Sequence, residues 1–77
     1  MAIADEALAG RVRDTLAQDR RIAGLAIMVR AASGDIFMKG RVDTEEQKEL
    51  IHLVCQGVPG VRRVVLDELL VTEAGGR

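Results

Sequence analysis

The sequence predicts an α+β fold, a two-layer sandwich in the order α-β-β-α-β with two helices packed on one face of a three-stranded mixed sheet. Three observations carry this prediction. Apolar residues recur every fourth position at Leu8, Val12 and Leu16, then every second position from Leu25 to Ala31. The first spacing is that of a helix and the second that of a strand. A capping-box pattern, Thr44-Glu45-Glu46-Gln47, opens a second helix, and an apolar run follows its stop at Gly57-Val58-Pro59-Gly60.

The first helix is expected from about Asp5 to Asp19. Asp5 and Glu6 sit at its positive end, with Arg20 and Arg21 at the other, where cations complement the helix dipole. Gly10 costs this helix up to about 1 kcal/mol relative to Ala, unless it permits a close approach to the sheet. In the first strand Leu25, Ile27, Val29 and Ala31 point one way, and Ala26, Met28 and Arg30 the other. The turn Ala32-Ser33-Gly34-Asp35 follows, where Gly34 supplies the positive φ of a tight hairpin. The second strand runs from about Asp35 to Val42, with Ile36, Met38, Gly40 and Val42 on one face and Phe37, Lys39 and Arg41 on the other.

Thr44 caps the second helix, which continues to about Gln56, buries Leu50, Ile51 and Val54, and has Val58 packed just beyond. The last strand covers roughly Arg62 to Thr72. Two amphipathic helices and three short strands are most simply arranged with both helices on one sheet face. The closing strand–helix–strand unit is then a right-handed crossover. Residues 1–77 form one domain, with an ordered core over about 5–72 and a loose tail at 73–77.

Composition bounds the function. With 48% hydrophobic residues but Phe37 as the single aromatic, the core is aliphatic and thin. A net charge of −1 argues against a general nucleic-acid binder, which carries a basic excess. A single cysteine, Cys55, excludes an intramolecular disulfide. No apolar stretch of signal-peptide or membrane-spanning length is present, so a cytoplasmic location is the default expectation. A periplasmic or envelope location follows if the domain is a segment of a longer protein.

The order and spacing of several segments resemble the BON domain, a module named for bacterial osmotic-shock and nodulation proteins. The segments are Ile27-Met28-Val29, then Gly34 to Val42, then Thr44-Glu45-Glu46-Gln47, then Val58-Pro59-Gly60-Val61-Arg62-Arg63-Val64. The family pattern Gly-x-Val-x-Leu-x-Gly-x-Val is met with Ile36 and Met38 as conservative replacements. The likeness covers about Ala7 to Val71 and departs from the pattern in the last strand. There, Val64-Val65-Leu66-Asp67-Glu68-Leu69-Leu70-Val71 contains either a bulge near Asp67 or a shift of one residue, which exchanges the two faces. The resemblance implies an α/β sandwich with a non-enzymatic role in contacting phospholipid or cell-envelope components. Gly40 and Gly60 match its structural positions.

No catalytic set is legible. His52 and Cys55 are neighbours on the second helix, but no orienting group or oxyanion site accompanies them, and a packed Cys beside a surface His is the plainer reading. One His and one Cys fall short of the four ligands of structural zinc, so no metal or other cofactor is expected. Gly57-Val58-Pro59-Gly60 has the spacing of an RNA-binding G-x-x-G loop but leads into a strand, which makes it a helix stop.

The informative surface is the sheet face away from the helices, where alternation places Met28, Arg30, Phe37, Lys39 and Arg41. An apolar patch rimmed by cations suits an anionic phospholipid surface or a protein partner, a second copy included. Arg20 and Arg21 form a second candidate contact. Gly34, Gly40, Thr44 and Gly60 are expected to be structural.

Overall fold

The computed structural model describes residues 3–72. Helix α1 (Ile3–Gln18), strands β1 (Ile27–Ala32) and β2 (Asp35–Val42), helix α2 (Glu45–Gln56) and strand β3 (Arg63–Val71) follow in the expected order. The sheet order is β1-β2-β3, with β1 antiparallel and β3 parallel to β2. Helix α1 lies over β1, α2 lies over β3, and the two helices touch. The tail expected at 73–77 lies outside the described residues.

Each element ends for an identifiable reason. Between α1 and β1 the chain makes successive tight turns, with the amides of Ile22 and Leu25 donating to the carbonyls of Asp19 and Ile22. These turns bury Ile22 against the core and delay the strand to Ile27. The hairpin turns on Ser33 (φ 54°) and Gly34 (φ 88°). Two consecutive positive φ values are the type I′ pattern, whose twist matches that of the flanking strands. At the start of α2, Thr44 Oγ1 accepts from the Gln47 amide at 3.1 Å, and Gln47 Oε1 accepts from the Thr44 amide at 3.3 Å. Both halves of the capping box are therefore made.

Gly40 has a distinct reason to be glycine. Its φ is 150°, and a Cβ there would lie 2.5 Å from the carbonyl oxygen of Ala26 and 3.2 Å from Ile27 Cα. The entry to β1 packs directly on this backbone, a separation that a side chain forbids.

The core is aliphatic, as composition requires. Leu8, Val12 and Leu16 from α1 meet Ile36, Met38 and Val42 from β2, Ile51 and Cys55 from α2, and Leu69 from β3. Each fully buried aliphatic side chain contributes about 1.5–3 kcal/mol relative to exposure. Leu50 and Val54 are half-buried at the margin, so the centre of the α2 stripe falls on Ile51, Cys55 and, just beyond the helix, Val58.

Strand β3 resolves the ambiguity of its sequence with a bulge. Phe37 pairs with Val65, but Lys39 pairs with Glu68, so β3 spends one more residue than β2 over this interval. Val64 precedes the irregularity opposite the buried Ile36, and Leu69 and Val71 follow it opposite Gly40 and Val42. Leu66 packs at the core margin. Neither uniform alternation, Val64-Leu66-Leu70 or Val65-Leu69-Val71, describes the strand. The bulge joins the first half of one to the second half of the other.

Candidate functional site

Both helices occupy one side of the sheet, so the other side is a surface built from alternate residues of three strands. Along β1 and β2, Met28 stands opposite Lys39 and Arg30 opposite Phe37. Arg41 follows on β2, and β3 adds Val65, Glu68 and Leu70 opposite Phe37, Lys39 and Arg41. All five residues expected on the open face are therefore on it. Met28 is 71% exposed and Leu70 58%, high values for large apolar side chains, while Phe37 is half-buried by its neighbours.

The Arg30 guanidinium carbon sits 5.2 Å from the centroid of the Phe37 ring, within cation–π range. This contact flattens the Arg30 side chain onto the sheet and leaves its outer donors exposed. Arg63 pairs with Asp35 at 3.1 Å at the hairpin end of the same face. Glu68 lies across the ladder from Lys39, and together with Met28, Arg30 and Phe37 they line a shallow depression. Among the residues paired in the ladder, the face holds four cations (Arg30, Lys39, Arg41, Arg63) and two carboxylates (Asp35, Glu68), with Asp67 exposed at the bulge beside them. It is locally basic although the chain is not.

Arg63 and Glu68 were missed as face residues, and Val65 and Leu70 were offered only as members of two alternative registers. Their placement depends on the register of β3, and the bulge that sets it was visible in sequence as one of two alternatives.

Arg20 and Arg21 stand apart from this face. Helix α1 stops at Gln18, and its last turn holds no basic residue, so the two arginines follow the helix rather than completing it. Arg21 donates from Nε and Nη2 to the two carboxylate oxygens of Asp19 at 2.9 and 2.7 Å. These hydrogen bonds hold the Asp19 carboxyl below its usual range. Arg21 is thereby partnered within its own turn, although both arginines are exposed.

Cys55 is wholly buried, and desolvation pushes its thiol up to about 12. A thiol so placed is not a nucleophile at neutral pH. Among the described residues, no group of three or more His, Cys, Asp or Glu side chains is placed to hold a metal ion. No described helix is long and apolar enough to cross a membrane.

A helix-backed sheet with an apolar, cation-rimmed open face is the frame of a small binding module. The chain belongs to the BON domain family, whose pattern it matches over residues 4–73. That family is one of non-catalytic binding modules, associated with phospholipid or protein interaction. A search of curated proteins gives no match.

Proposed function

We propose that this domain binds the surface of anionic phospholipid membranes through its open sheet face. The observation that supports the reading is the interleaving of exposed Met28 and Leu70 and half-buried Phe37 with Arg30, Lys39 and Arg41 on one face. The apolar side chains enter the headgroup boundary, and the cations meet lipid phosphates around them. Each such cation contributes about 1 kcal/mol near an anionic surface. Replacing Lys39 and Arg41 together by Glu therefore weakens binding on the order of thirtyfold or more. Co-sedimentation with phosphatidylglycerol-containing vesicles tests this. Binding falls as salt rises and is lost on phosphatidylcholine alone, since the charge attraction is screened beyond about 10 Å at 0.1 M. Equal binding to both lipids, or an unaffected double variant, contradicts the reading.

A protein partner is the second reading, most simply a homodimer across the same face or the β3 edge. Exposed Leu70 on an edge strand favours it. A two-fold contact uses one surface twice, so Phe37→Glu would abolish a dimer seen by sedimentation at high micromolar concentration. A monomer at that concentration rules this form out.

A further inference from the structure

A cleft on another part of the molecule joins three distant segments: the first half of α1, the β1–β2 turn, and the loop from α2 to β3. Its floor is apolar, formed by Ala4, Ala7 and Leu8. Two guanidiniums border it. Arg11 Nη1 donates to the carbonyl of Pro59 at 3.1 Å, and Arg62 Nη1 donates to the carbonyl of Ser33 at 3.3 Å. Among the described residues, neither arginine forms a salt bridge. Each guanidinium carries five N–H donors, so a single anchoring bond orients it and leaves most of its fork unused.

Glycines underlie both side chains. A Cβ on Gly60 would lie 3.9 Å from Arg11 Nη1 and 3.3 Å from Leu8, and one on Gly34 would lie 2.8 Å from the Arg62 stem. A side chain at Gly34 would crowd the Arg62 stem and one at Gly60 would press on Leu8, while Arg11 would stay at ordinary contact distance. The third charge is Asp5, whose Oδ1 accepts from the Ser33 amide at 3.0 Å. Two guanidiniums against one carboxylate leave the cleft with a single positive charge, which matches a monovalent anion better than a divalent one.

We propose that this cleft binds the C-terminal carboxylate of an extended peptide ending in a small apolar residue. The planar forks of Arg11 and Arg62 receive the carboxylate, and the floor at Ala4, Ala7 and Leu8 receives the side chain beside it. The site is separate from the open sheet face, so its failure and that of membrane binding are independent.

The test is an NMR titration of the full chain with acetyl-Ala-Ala-Val bearing a free carboxylate, compared with the same peptide as its C-terminal amide. The free acid is expected to move the Arg11 and Arg62 side-chain N–H signals and the amides of Leu8, Ser33 and Gly60. The amide is expected to bind at least tenfold more weakly. Arg62→Gln, an exposed change whose folding the same spectrum reports, gives a similar loss for the acid. Three results overturn the proposal: equal shifts by acid and amide, shifts of equal size with inorganic phosphate at the same concentration, or movement of these signals by anionic vesicles but not by the peptide.

Discussion

Gly40 shows how a single residue couples two strands. Its missing side chain lets the Ala26 carbonyl approach to where a Cβ would be only 2.5 Å away. Gly40→Ala is therefore expected to cost about 2 kcal/mol or more, read as a lowered denaturant midpoint. Gly10 is the opposite case. It lies mid-helix, and a Cβ there would meet only Arg13 Nη2 at 3.7 Å. Gly10→Ala is expected to stabilise by about 0.5–1 kcal/mol, raising the melting temperature by a few degrees. Both glycines were visible in the sequence, but what distinguishes them was not. The difference lies in which backbone passes over each one, and that depends on the fold. The Cys55 thiol has a pH consequence. Its pKa rises from the ordinary 9.0 to about 12 on burial, so the folded chain keeps a proton that the unfolded chain releases. The contribution is intact below pH 9 and is lost progressively between about 9 and 12, at up to about 1.4 kcal/mol per pH unit. Urea midpoints measured under reducing conditions at pH 8 and pH 10 check this. Cys55→Ala, though less stable, should show a smaller drop between those two values.

At the scale of elements, β2, α2 and the hairpin were legible almost to the residue, because each carries its own local chemistry. The hairpin has Ser33-Gly34, α2 has a complete capping box, and β2 alternates cleanly between buried and open residues. The end of α1 was less legible. Asp19 and Arg21 bind each other rather than prolonging the helix, an interaction that helix periodicity does not encode. Strand β3 was ambiguous because apolar residues fall on both of its alternating sets, and its facing is fixed by a bulge against β2. That bulge carries a sharp expectation. With Asp67 deleted, Val64 and Leu66 still alternate with Val65, and Glu68, Leu69, Leu70 and Val71 follow in the same facing. The deletion variant should retain the native spectrum and melt within about 5 °C of the parent. A collapsed amide dispersion in that variant would show that the extra residue is required by the sheet rather than tolerated by it.

For the whole molecule, the two faces of the sheet divide the labour. The helix side holds an apolar core without aromatic residues, and the open side gathers exposed apolar residues with an excess of cations. Total charge concealed that excess, since a net of −1 averages over both sides. Alternation along β1 and β2 revealed it, and the contribution of β3 waited on the bulge. The central claim is that this open face meets an anionic lipid surface, and amide-shift NMR with bicelles tests it most directly. Anionic bicelles are expected to shift the open-face residues Met28, Arg30, Phe37, Lys39 and Arg41, with Leu70, while zwitterionic bicelles leave them in place. Unchanged spectra in both, or the same shifts in both, would contradict it.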